Sequence, residues 1–134
     1  MIQENKNLLL QDLCSRLLYG IRCSFGVDDA IYEITGINPS SCGASEIQAT
    51  HVKSGINGDF TISSYKPYLF PLSSMTREQR KEYTSLLDHI MTIEGDVCDV
   101  CTVKSINWLL ENHFDVNNLI PLGLAKDATG LNIY

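Results

Sequence analysis

Two prolines, Pro67 and Pro71, constrain this chain more than any other feature. Each fixes its own φ, lacks an amide hydrogen and pushes the residue before it toward extended geometry. The stretch Lys66-Pro67-Tyr68-Leu69-Phe70-Pro71-Leu72 is therefore excluded from helix and reads as an extended connector. Strand-type patterns gather before it and helix-type patterns after it, with one more helix at the N-terminus. That order suits an α+β fold within one domain, residues 1–134: an antiparallel sheet of about four strands in two hairpins, covered on one face by an N-terminal helix and two to three C-terminal helices.

Leu10, Leu13, Cys14 and Leu17 fall at i, i+3, i+4 and i+7, so residues 5–19 are expected to be helical, with Asp12 and Arg16 paired across one turn on the outer side. Gly20 closes that helix. Ile21, Cys23 and Phe25 then alternate with polar residues, and a turn over Gly26-Val27-Asp28-Asp29 predicts a hairpin with Ala30–Thr35. Residues 38–45 read as the longest loop. Asn57-Gly58 is the strongest turn signal, predicting a second hairpin of 46–55 with 59–64 whose first strand, weakly alternating, lies at an edge or is irregular. Beyond the connector, Thr76 and Gln79 have capping-box spacing ahead of Tyr83, Leu86, Leu87 and Ile90, which predicts a helix over 77–92. A further helix over 103–114 carries Val103, Ile106, Leu110 and His113 on one face, before a turn ending near Gly123.

Sixteen acidic residues against ten basic ones give a formal charge of -6, which draws the chain to neither phosphate backbones nor anionic lipid. No nucleic-acid partner is expected. The densest basic stretch, Arg77, Arg80 and Lys81, is interleaved with Glu78 and Glu82 and reads as a solvated helix face. No apolar run approaches the roughly 20 residues of a membrane-spanning helix, and the opening residues lack a secretory pattern, so no membrane association and a cytoplasmic location are expected. Five cysteines (Cys14, Cys23, Cys42, Cys98, Cys101) lack a framework spacing and are expected to be free thiols, at least two of them in the core.

Three stretches carry a family likeness: Asp12-Leu13-Cys14-Ser15-Arg16-Leu17-Leu18-Tyr19-Gly20, Lys66 through Thr76, and Trp108-Leu109-Leu110-Glu111-Asn112-His113-Phe114-Asp115. Together they resemble small uncharacterised proteins encoded by gut Bacteroidetes and their phages. The resemblance covers both ends and the middle, whereas residues 27–64 are particular to this chain. It departs at Leu110, apolar where a polar residue is implied. It brings no reaction, ligand or functional residue with it, and implies only accessory roles such as host takeover or the blocking of a defence system, in the host cytoplasm.

Among chemical motifs, Cys98-Asp99-Val100-Cys101 has the spacing of half a metal site or a redox dithiol. His89 and His113 are the nearest candidates to complete it but belong to separate expected helices. Unconnected thiols are the favoured reading, and no cofactor or metal is expected. No serine elbow and no phosphate-cradling glycine loop is present. His113 fits an apolar stripe, His51 and His89 have no distinctive neighbours, and the Asp28-Asp29 pair suits a turn. Trp108 falls opposite the apolar stripe of its helix, among Lys104, Ser105, Glu111 and Asn112. Either the connector covers it through Tyr68 and Phe70, which is the favoured reading, or it anchors an interface rimmed by Lys104 and Glu111. Trp108, Tyr68, Lys104 and Glu111 are thus the candidate binding residues. The expectation is a non-enzymatic phage-type accessory protein that binds a host protein or a small signal molecule. The alternative is a small hydrolase or metal-dependent module using Cys98, Cys101 and a histidine. Homo-oligomerisation stays open, including a nucleotide held between protomers by scattered arginines and aromatics.

Overall fold

The computed structural model describes residues 2–26, 30–37, 47–87 and 99–134. Helix α1 spans Gln3–Arg16 and continues as a 3-10 turn over Leu17–Tyr19, closed by Gly20 in the left-handed conformation (φ 69°). Its inward face is rolled from the expected one: Leu9, Asp12, Leu13 and Arg16 are buried, while Cys14 and Leu17 are exposed. The cause is the Asp12–Arg16 pair, which lies inside rather than outside. Arg16 donates from Nε to Asp12 Oδ2 at 2.8 Å, and from Nη2 to Asp12 Oδ1 at 3.0 Å and to the Phe114 carbonyl at 2.7 Å. Asn117 Nδ2 donates to Asp12 Oδ1 at 2.8 Å. Two charges of opposite sign with this many partners can be buried together, so a wheel that counts only apolar residues misplaces the face.

Among the described residues the sheet has six strands: β1 (Arg22–Ser24), β2 (Tyr32–Ile37), β3 (Ile47–His51), β4 (Asn57–Phe60), β5 (Lys66–Leu69) and β6 (Lys126–Asp127), in the order β4-β3-β2-β1-β5-β6. The first four are the two expected hairpins, β1 with β2 and β3 with β4. Two strands exceed expectation. The proline stretch forms β5, antiparallel to β1, and β6 runs parallel beyond it. Pro67 fits because it pairs with Cys23 on one side, while the ladder to β6 begins only at Tyr68; its missing donor falls where a second neighbour is not yet engaged. The Asn57-Gly58 turn is also corrected. Those residues sit inside β4, opposite Thr50 and Ala49, and the chain reverses over 52–55 with Gly55 at φ 72°. β3 is consequently an interior strand, not an edge, and the irregularity lies in its β2 partner between Ile34 and Gly36.

Period-2 alternation divides β5 between two cores. Tyr65 and Leu69 join Leu9, Leu13, Ile21, Cys23, Phe25 and Ile34 beneath α1, whereas Tyr68 packs with Ala128, Ile133, Ile31 and Phe70. The C-terminal segment thus packs where helices alone were expected to cover the sheet.

Helix α2 (Arg77–Leu87) opens on the expected capping box: Gln79 N–H donates to Thr76 Oγ1 at 3.2 Å, and Thr76 N–H donates to Gln79 Oε1 at 2.9 Å. Helix α3 (Asp99–Glu111) begins four residues before the expected start and is rolled from its expected face. Val103 and Ile106 are 56% and 46% exposed, while Ser105, Trp108, Leu109 and Leu110 are buried. Trp108 offers more apolar area than Val103 or Ile106, and the observed face buries it in their place. His113 leaves the helix at φ 63°, and Asp115 closes the following turn by accepting from the Leu119 and Ile120 N–H groups at 2.8 and 2.9 Å.

Candidate functional site

The β3–β4 reversal is built around His51. Its Nδ1 accepts from Ser54 N–H at 3.0 Å, and its backbone N–H donates to the Ile56 carbonyl at 2.9 Å. Acceptance at Nδ1 assigns the neutral ring's proton to Nε2. Tyr32 stands directly across the ladder from His51, and the rings meet edge to face, 5.2 Å apart at 87°. Phe60 joins Tyr32 at 5.0 Å and stacks on buried Phe25 at 3.9 Å and 6°. Gly58 makes room for the Phe60 ring, since a Cβ there would lie 2.9 Å from it.

These rings form a shelf around a hollow of about 180 Å³, lined by Tyr32, His51, Ser54, Ile56, Asn57, Gly58 and Phe60. His51 also borders a second hollow of about 360 Å³ with Ala30, Ile31, Val52 and Lys53. Ile56 is 68% exposed at the rim. Elsewhere, Thr35, Gln48, Asn57 and Asp59 line an open polar hollow of about 380 Å³. The aromatic shelf is the better candidate for a binding surface, because desolvating apolar area drives association whereas water competes for every contact of the polar hollow.

The structure disperses the residues expected to act together. Trp108 is 9% exposed, stacked on Tyr83 at 5.7 Å and on Phe114 at 5.8 Å, with Phe70, Met75 and Leu86 in the same cluster. The connector therefore contributes Phe70 to its cover, and α2 contributes more. Tyr68 belongs to the other cluster, with Lys126 Nζ 5.6 Å from its ring centroid and its carbonyl accepting from the Tyr134 hydroxyl at 2.7 Å. Lys104 and Glu111 are exposed on α3. Cys42, Cys98, His89 and Asp28-Asp29 lie outside the described residues, as does the pairing of Cys98 with Cys101. Among the described residues, no group of three or more His, Cys, Asp or Glu could hold a metal, and no helix is long and apolar enough to cross a membrane. Of the two described thiols, Cys14 is exposed and Cys23 is buried, and burial pushes the Cys23 thiol well above its ordinary range. That suppresses its thiolate.

Tyr32, His51 and Phe60 were not singled out as site residues from sequence. The signal that reveals them is register: moving the reversal from Asn57-Gly58 to the residues after His51 sets His51 opposite Tyr32 and brings Phe60 onto the same face. No protein-family model, curated protein or solved structure matches the chain.

Proposed function

We propose that this protein is a non-enzymatic accessory protein whose aromatic shelf at the β3–β4 hairpin binds a partner protein. The observation that carries the reading is the packing of Tyr32, His51 and Phe60 around a hollow of about 180 Å³, with exposed Ile56 at its lip. Drug-sized ligands occupy pockets of about 300–1,000 Å³, so this hollow suits one inserted side chain better than a whole small molecule. Partly exposed aromatic rings beside a bulky aliphatic residue match the composition of protein-contact hot spots. The phage-type role, taking over a host or blocking its defence by binding a host protein in the host cytoplasm, is supported by the three-stretch resemblance. A small signal molecule is the second ligand class, and the neighbouring hollow of about 360 Å³ beside Lys53 supports it.

Ile56→Asp tests the proposal, because Ile56 is exposed and its loss should leave the fold intact. Cross-linking in host lysate followed by mass spectrometry should identify a partner, and its affinity for the variant should fall by about tenfold or more, the effect of losing one hot spot of roughly 1.4 kcal/mol. Unchanged affinity in a variant with wild-type thermal stability would remove the shelf from the contact. Turnover of a substrate by the purified protein would replace the binding role with an enzymatic one.

A further inference from the structure

The cations of α2 are interleaved with acids in sequence but share one face of the helix, with Glu78 at its edge. Arg77, Arg80, Lys81, Thr84 and Ser85 stand at i, i+3, i+4, i+7 and i+8, one face of a helix, and they line a furrow of about 360 Å³. Glu78 and Glu82 fall to the flank, and Tyr83 and Leu86 point the opposite way, toward Trp108. These five described residues are all exposed, and no cation among them has a side-chain hydrogen bond or ion pair with a described residue.

For the two arginines this placement gives the helix no support. Arg77 and Lys81 are like charges four residues apart, as are Glu78 and Glu82, and both spacings repel. Arg77 and Arg80 also occupy the first turn, where the helix dipole already presents positive charge and disfavours cations. Glu78 does support the helix, as an acid in the first turn and three residues from Lys81, but neither arginine has an acid three or four residues away on the helix. Two guanidinium forks, one ammonium and two hydroxyls share that face, which is a donor set for a phosphate group.

The rest of the molecule restricts the size of the anion. With a formal charge of -6, the protein repels a long polyanion over most of its surface. Screening over about 8 Å at physiological salt lets a compact anion sense mainly the local cations. Arg77 and Lys81 are separated by about 6 Å of helix rise, the scale of one or two phosphate groups. We propose that this face of α2 binds the phosphate of a small soluble phosphorylated ligand, independently of the aromatic shelf.

The test is an amide NMR titration with inorganic pyrophosphate as probe, at low and near-physiological salt. Expected are saturable shift changes confined to α2 and its cap, lost by about tenfold or more in affinity in an Arg77→Gln/Arg80→Gln variant. Lys66→Gln, exposed on β5 at another part of the surface, should bind pyrophosphate as the wild type does. Because all substituted side chains are exposed, thermal unfolding of each variant should match the parent, and Lys81→Gln supplies a milder second reading if the double variant does not fold. Shifts spread over every lysine and arginine, or no saturable binding, would overturn the proposal. Tighter binding of a single-stranded oligonucleotide than of pyrophosphate would overturn it too, since the occupant would then be a nucleic-acid backbone.

Discussion

Arg16 and Asp12 are each 0% exposed, and their pair ties the end of α1 to the turn that follows α3. A carboxylate and a guanidinium so deeply placed stabilise a fold only while both are present. Removing one partner leaves an uncompensated charge, and Arg16 already holds one buried donor, Nη1, without a hydrogen-bond partner among the described residues. Asp12→Ala is therefore expected to lower unfolding free energy by about 3–5 kcal/mol in urea denaturation. The double variant Asp12→Ala/Arg16→Met should recover part of that loss, since no charge is then stranded. A cost below about 1 kcal/mol for the single change would mean that water reaches Arg16. The shelf rings belong to other elements, so folded Asp12→Ala protein should bind a shelf partner normally.

Between elements, α2 and α3 meet through Tyr83, Leu86, Trp108 and Phe114, with Phe70 from the connector and Met75 just ahead of α2 closing the cluster. Trp108→Ala empties the middle of this layer, and a loss of about 3–5 kcal/mol in unfolding free energy is expected, as for other buried large aromatics. Wild-type stability in that variant would show that the cluster adds little to the fold. Elements with a local cause were legible in sequence: the Thr76–Gln79 box, the helix-closing Gly20, and the first hairpin. Orientation was not. Apolar periodicity alone misplaces the inward faces of α1 and α3, because it ignores a buried ion pair in α1 and underweights one tryptophan against two smaller residues in α3. Asn57-Gly58 misled for a different reason, since Gly58 serves the approach of the Phe60 ring rather than a turn. β6, two residues long, has no pattern to read and exists only through its pairing with β5. The shelf followed these errors, because His51 acquires its neighbours only once the hairpin register is known.

Across the whole molecule, the C-terminal residues close against β1 and β5. Arg22 Nη1 donates to the Ile133 carbonyl at 2.7 Å, the Tyr134 hydroxyl donates to the Tyr68 carbonyl at 2.7 Å, and the His113 ring stacks on Tyr134 at 3.7 Å and 9°. Burial, reinforced by the nearby Arg16 and Arg22 guanidiniums, lowers the pKa of His113 to about 4. An unfolded histidine titrates near 6.5, so between about 4 and 6.5 the unfolded chain binds the proton that the folded chain refuses. Stability from this group is therefore complete above about pH 6.5 and is lost progressively as pH falls toward 4. Carboxylates contribute to the same acid limb, so the informative quantity is a difference between proteins. His113→Asn removes the titration while keeping a residue tolerant of the left-handed backbone at φ 63°. Urea unfolding free energies measured from pH 7 down to pH 4 should converge, the wild type falling more steeply than the variant. Parallel curves over that interval would mean that His113 takes up its proton equally in both states, and that the ring stacked on Tyr134 is open to water.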